Sequence, residues 1–381
     1  MSVDFAALRA RFPLLRRKTY LNSGSCGALA DTVQAAVNAY LEERLLTGAN
    51  WDLWVAKNEA VRSLVAQLLN AQPEEIAVTA SASAAINALA SACDFSRARN
   101  KVVISDFEFP TNAQIWHAQE PRGARVVHVA PEGDGYIPLE AFARAIDEHT
   151  QIVAVTQLCY RNGALLDIAG IARLAHARGA RIMVDCYQAV GALQVDVQRL
   201  DVDFAVGGMV KYLLGTAGLG FLYARAQLIP SLLPTASGWF AQEDVAAMDI
   251  TANRPSASAR RFEAGTPAVV NCYAAEAGLK IIQEVGAAAI ESRVRFLARL
   301  CMQGLEEIGW PSITAPQEER HGPLVCVRAR QVAALQRQLL AENIVTSCRD
   351  DNLRASFHCY NSEEDVDALV RALARHRAHY R

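Results

Sequence analysis

Two polar side chains close buried runs in the stretch from Arg181 to Ala224, and their types define a chemistry. The apolar run Ile182 to Val184 ends in Asp185. A second run, Phe204 to Val206, passes through two glycines, Met209 and Val210 to Lys211. In a parallel α/β sheet the loops beyond the strand ends line the ligand crevice, so both groups are expected there. A lysine flanked by Met209, Val210, Tyr212 and Leu213 is poorly hydrated. That favours its neutral amine and suits it to imine formation with an aldehyde.

An aldehyde carried on a pyridine ring, pyridoxal phosphate, matches an acid and a lysine so placed. Taken singly, a strand-end aspartate also caps turns, and a lysine after glycines also serves as a solvated loop residue. Taken together, Asp185-x-x-Gln188, Asp203-Phe204, Lys211 and Gly218-Leu219-Gly220 resemble the class V aminotransferase family of fold-type I pyridoxal phosphate enzymes. That family includes cysteine desulfurases, kynureninases and isopenicillin N epimerases. The resemblance implies that Lys211 carries the cofactor, that Asp185 keeps the ring nitrogen protonated and that Gln188 hydrogen-bonds the phenolic oxygen.

Composition agrees with an enzyme and excludes other classes. The chain has 381 residues, 52% hydrophobic and 20% charged, enough for two domains with a sizeable core. A net charge of -2 gives no reason to expect nucleic acid or an anionic membrane as partner. No apolar run approaches membrane-spanning length, and MSVDFAALRARFPLL lacks the hydrophobic stretch of a signal peptide. Nine cysteines without paired metal-ligand spacing point to reduced thiols in a cytoplasm rather than to disulfides or a metal.

The remaining chemistry lies at strand ends along the chain. Tyr20 to Gly27, YLNSGSCG, combines small residues and glycines that let backbone approach a ligand. It resembles the entry loop of kynureninases and desulfurases and brings Ser25 to the substrate side. The strand Ile76 to Val78 passes through small residues into a helix, a junction that offers free N–H groups to a phosphate. The resemblance assigns that grip to Ala82 and Ser83, with Thr79 as a further candidate. After the strand Lys101 to Ser105, Phe109-Pro110-Thr111-Asn112 resembles the kynureninase version of the site, in which a phenylalanine stacks on the pyridine ring. Tyr160-Arg161-Asn162-Gly163 resembles the kynureninase Tyr-Arg-x-Gly, so Tyr160 or Arg161 faces the substrate.

Arg261-Phe262-Glu263-Ala264-Gly265-Thr266-Pro267 resembles the family motif whose threonine reaches the cofactor phosphate of the neighbouring subunit. It implies a homodimer with shared sites and a role there for Thr266. In Leu353-Arg354-Ala355-Ser356 the resemblance makes Arg354 the clamp on the substrate's α-carboxylate, a task suited to a guanidinium fork.

Strands alternate with amphipathic helices in the βαβ rhythm of a mainly parallel sheet. The resemblance implies an α/β fold of type I, with a large domain built on a mainly parallel seven-stranded sheet flanked by helices, and a smaller α+β C-terminal domain. Expected bounds are residues 1–18 for an N-terminal segment packing on the small domain, 19–259 for the large domain and 260–381 for the small one. Helices are expected at Val33 to Leu46, Ala56 to Leu69 and Val332 to Glu342. One strand is expected at Ile344 to Ser347.

The resemblance leaves the reaction open. Desulfurases carry a serine and a histidine ahead of the lysine, where this chain has Gly208 and Val210. Kynureninases carry a tyrosine before the lysine and a histidine where Gln188 stands. Cys348 is the thiol nearest the place where desulfurases hold their sulfur-accepting cysteine. The expected substrate is an α-amino acid, and the expected reaction is transamination or lyase cleavage at the β-carbon. The alternatives are a kynureninase-like hydrolase, a desulfurase-like or selenocysteine-lyase-like enzyme, and an epimerase.

Overall fold

The computed structural model describes residues 3–133 and 135–380. The chain opens with helix α1 (Phe5–Ala10), strand β1 (Thr19–Tyr20) and the long helices α2 (Asp31–Thr47) and α3 (Trp51–Leu69). Helix α3 starts five residues before the expected Ala56, because Asn50 Oδ1 accepts from the backbone N–H of Leu53 (3.3 Å) and caps it there. Next come β2 (Ile76–Thr79), α4 (Ala82–Ser91), β3 (Lys101–Ser105), α5 (Pro110–His117), β4 (Arg125–Val129), α6 (Leu139–Ala145), β5 (Thr150–Thr156) and α7 (Ile168–Ala177). They are followed by β6 (Arg181–Asp185), β7 (Phe204–Gly208) and β8 (Gly220–Ala224).

Strands β2 to β8 form one sheet of order β2-β8-β7-β6-β5-β3-β4. Only β8 runs against its neighbours. Both faces are apolar, as a covered parallel sheet requires. Val103, Val153, Val155, Ile182 and Val184 point into one core with α3, α7 and α8 (Val269–Val285). The alternate residues Val102, Ile104, Ala154, Met183 and Val206 point into a second core with α4 and α5. The period of two thus makes a three-layer α/β/α sandwich.

The chain continues through α9 (Ala287–Glu307), β9 (Leu324–Arg328), α10 (Val332–Ala341), β10 (Ile344–Val345), β11 (Ser347–Arg349), β12 (Asn352–Ser356) and α11 (Glu363–Arg375). Strands β11, β12 and β9 form an antiparallel sheet, and α9, α10 and α11 share a core with it. The single strand expected at Ile344 to Ser347 is two. Ile344 and Val345 pair in parallel with Thr19 and Tyr20, whereas Ser347 to Arg349 turns to pair with β12. Among the described residues no helix is long and apolar enough to cross a membrane.

Candidate active site

The sheet's carboxyl edge gathers the reactive groups. Asp185 ends β6, Lys211 follows β7, Tyr160 follows β5, and the segments after β2 and β3 carry Ser83 and Phe109. All five line one cavity of about 250 Å³, together with Ala82 and Gln188. Residues up to 129 positions apart in sequence meet there because parallel strands deliver their C-terminal ends to one side.

Each end of the cavity has its own character. At one end α4 begins, capped by Ser81, whose Oγ accepts from the backbone N–H of Ala84 (3.1 Å). The first N–H groups of a ten-residue helix are left for an anion. The Ser83 hydroxyl stands 3.4 Å from that of Thr111 in the first turn of α5. Thr79 stays out of this cavity, its hydroxyl donating to the Ser81 carbonyl (2.9 Å). At the other end Asp185 Oδ1 accepts from the backbone N–H of Tyr187 (2.9 Å). Burial pushes its carboxyl up, and the Lys211 charge pulls it back down.

Lys211 is partly buried, its Nζ 4.3 Å from the Tyr187 ring centroid and 5.7 Å from that of Phe109. Burial pushes its ammonium down to about 8, against the pull of Asp185 and with the help of Arg354 and Arg349. Phe109 is exposed on the cavity wall, edge-on to Tyr160 at 5.1 Å. Gln188 Nε2 donates to the Gly24 carbonyl (3.0 Å), while its buried Oε1 and the buried Tyr212 hydroxyl lack partners. The loop carrying Gly24 is fixed from the small sheet, because the backbone N–H of Gly24 donates to Ser356 Oγ (2.8 Å).

Arg354 on β12 is almost wholly buried among neutral partners. It donates to the Tyr160 carbonyl, to Ser25 Oγ (3.3 Å) and to Ser347 Oγ (2.9 Å), and its Nε has no partner. Burial holds its guanidinium pKa below the usual arginine value. A cation so buried beside hydroxyls and carbonyls calls for an anion. Arg161 turns instead to the Asp106 carbonyl.

Two residues that the sequence did not single out belong to the same region. Tyr187 lines the cavity and occupies the space above Gly208, where an added Cβ would stand 2.4 Å from its ring. Glu108 lies behind Asp185. Its Oε1 accepts from the backbone N–H of Thr156 (2.8 Å), which pairs in register with Asp185, and its Oε2 accepts from Asn112 Nδ2 (2.7 Å). Burial pushes the Glu108 carboxyl up to about 8. Thr111 was legible in part, since Pro110 ahead of it is a helix-opening signal.

A family model, aminotransferase class-V, matches residues 52–369. The chain belongs to the class-V aminotransferase family. It is 32% identical over 374 residues to an uncharacterized aminotransferase, YcbU of Bacillus subtilis, covering 97% of this chain and 98% of that one. It is 29% identical over 401 residues to the cysteine desulfurase CsdA of Escherichia coli, covering 97% of each. The crystal structure of that desulfurase superposes with a TM-score of 0.87 at 25% identity, over 99% of both chains. Class-V enzymes are pyridoxal phosphate enzymes, and this chain is one of them. Its residues fit the cofactor: a helix N-terminus for the phosphate, a buried acid for the ring nitrogen, and an amine of depressed basicity between them.

Ser25 and Arg354 are not among the residues that line the Lys211 cavity, and Arg354 is tied to it through the carbonyl of Tyr160, whereas Thr266 lies elsewhere in this chain. It lines a separate cavity of about 350 Å³ with Thr79 and Gly265.

Proposed function

We propose that the enzyme acts on an α-amino acid, by transamination or by cleaving a bond at the β-carbon, and that Lys211 is its cofactor lysine and proton carrier. The observation that carries this is the placement of a buried lysine amine in one cavity with Asp185 and the start of α4. When bound, pyridoxal phosphate supplies an aldehyde for an amino group and a ring that draws electron density from the substrate's α-carbon.

The protein's own groups then divide the work. The Ala82 and Ser83 N–H groups and the Ser83 hydroxyl orient the phosphate. Asp185, ionised beside a cation, holds a proton on the ring nitrogen. Gln188 has a second Nε2 hydrogen for the phenolic oxygen, and Phe109 and Tyr187 exclude water from the Lys211 amine. Lys211, whose ammonium sits near 8, takes the proton from the substrate's α-carbon and returns it at another atom. Arg354, steadied by Ser25 and the Tyr160 carbonyl, grips the α-carboxylate.

The setting of Cys348 supports a reaction that uses no protein thiol. It lies on β11 opposite Leu353, its Sγ 3.1 Å from Gln336 Oε1, within a short hairpin rather than on a free loop. A homodimer is supported by apolar side chains left open on α2 and nearby, with Leu45 and Leu46 each 85% exposed and Trp51 44%. In a dimer Thr266 is free to serve the partner's phosphate. Nine free cysteines fit a cytoplasmic setting.

Incubating the holoenzyme with a panel of amino acids, while following cofactor absorbance and released keto acid, ammonia and sulfide, tests this reading. A keto acid formed in step with cofactor absorbance changes is expected for one or a few of them. With an added thiol reductant present, alanine and sulfide formed from cysteine and abolished by Cys348→Ala would overturn the thiol-free reaction.

A further inference from the structure

Tyr187 carries a hydroxyl to the end of the cavity where α4 begins. Its Oη and its terminal ring carbon each lie 2.4 Å from where a Cβ on Gly208 would stand. Gly208 pairs with Gly220 across β7 and β8, and directly opposed positions of an antiparallel pair point their Cβ atoms to one face, about 4.5–5.5 Å apart. A Cβ on Gly220 would stand 2.6 Å from the backbone nitrogen of Ala82, the first residue of α4. Two glycines on adjacent strand ends therefore leave room side by side, one for the helix start and one for the phenol. Tyr187, Ala82 and Ser83 all line the cavity.

The hydroxyl is placed to donate there. The backbone N–H of Val210 faces its oxygen, which leaves the hydroxyl's own proton for a different acceptor. Burial, with Asp185 and Cys26 adding to it, pushes the phenol up to about 12, so that proton is kept throughout the neutral range. The Lys211 Nζ lies 4.3 Å from the ring centroid. The ring thus flanks the amine while its tip reaches Gly208. Lys211 is the one cation among the residues that line the cavity. An anion at the start of α4 is then met by neutral donors, and each hydroxyl beside it carries a substantial share of the grip.

We propose that the Tyr187 hydroxyl is a ligand of the cofactor phosphate, delivered from the end of β6 through the space that Gly208 leaves open on β7. Desulfurases carry a serine at the position of Gly208. Here the hydroxyl in that volume comes from a different strand end. The assignment rests on the reading of this cavity as the cofactor site and adds to it a binding group. It gives the phenol a chemical role beyond filling space and makes the glycine at 208 the condition for that role.

Titrating the full-length, cofactor-free enzyme with pyridoxal phosphate and, separately, with pyridoxal, which lacks the phosphate, tests the proposal. Tyr187→Phe keeps the ring and removes the hydroxyl. Its affinity for pyridoxal phosphate should fall about tenfold or more, the loss of one hydrogen bond to a charged group, while its affinity for pyridoxal stays that of the parent. Tyr187→Ala should lose at least as much. Tyr187→Ala combined with Gly208→Ser should regain part of the loss, because a hydroxyl returns to the same volume. A parent-like affinity of Tyr187→Phe for pyridoxal phosphate would leave the phenol a packing group and overturn the proposal. Equal losses for both ligands would place its effect at the ring or the amine, and would overturn it as well. Failure of the underlying site reading shows separately, as a borohydride label on a lysine other than Lys211.

Discussion

Gly208 lies so close beneath Tyr187 that a Cβ at position 208 would stand 2.4 Å from the terminal ring carbon and from the hydroxyl oxygen. The two residues belong to different strand ends, β6 and β7, and they fit only as a pair. Where desulfurases place a serine, this chain places a glycine because the phenol ring already occupies the volume.

Gly208→Ser should therefore destabilise the fold by about 1–3 kcal/mol through overpacking. Tyr187→Ala in the same chain should recover most of that loss, and a double-mutant cycle in denaturant measures the coupling. Additive effects of the two changes would contradict the packing argument.

The pairing also marks the limit of what the sequence discloses. Asp185 and Lys211 were legible because apolar runs end at polar residues and parallel strands bring such ends together, whereas Ser83 and Phe109 were picked out by the resemblance of their motifs to those of the family. Tyr187 read as an ordinary residue between Asp185 and Gln188, since nothing local says that its ring crosses to β7. Ser25 and Arg354 are 329 positions apart, and their contact depends on the small sheet docking against the entry loop. The split of Ile344 to Ser347 depends on a parallel partner at Thr19 and Tyr20, too short to announce itself.

Glu108 should make stability depend on pH. Its carboxyl is raised from 4.5 to about 8 by burial, so the folded chain keeps a proton that the unfolded chain has already released. That contribution is full below about 4.5, falls as pH rises and is lost above about 8. Glu108→Gln mimics the protonated acid. Its thermal midpoint relative to the parent should rise between pH 5 and pH 8, and a constant difference across that range would refute a neutral Glu108.

Uptake of the cofactor by cofactor-free enzyme should follow the Lys211 amine. With its ammonium pushed from 10.5 down to about 8, the rate of pyridoxal phosphate binding should rise with pH and reach half its maximum near 8. A half-point near 10 would mean that the lysine is hydrated like a surface residue.

Arg354→Ala should weaken use of the amino acid by about ten- to 150-fold, the worth of roughly 1.5–3 kcal/mol for a charge-assisted pair. Cofactor content should be unchanged. Arg354→Lys should recover only part of the loss, because an ammonium lacks the planar fork. Loss of cofactor with normal kinetics in the surviving holoenzyme would assign the arginine to the fold or to the phosphate side.

The most direct measurement is to reduce the purified holoenzyme with borohydride, digest it and locate the pyridoxyl label by mass. The account predicts one labelled lysine, Lys211, and no stable label in Lys211→Ala that has been given the same cofactor. A label on any other lysine, or full turnover by Lys211→Ala, would contradict it.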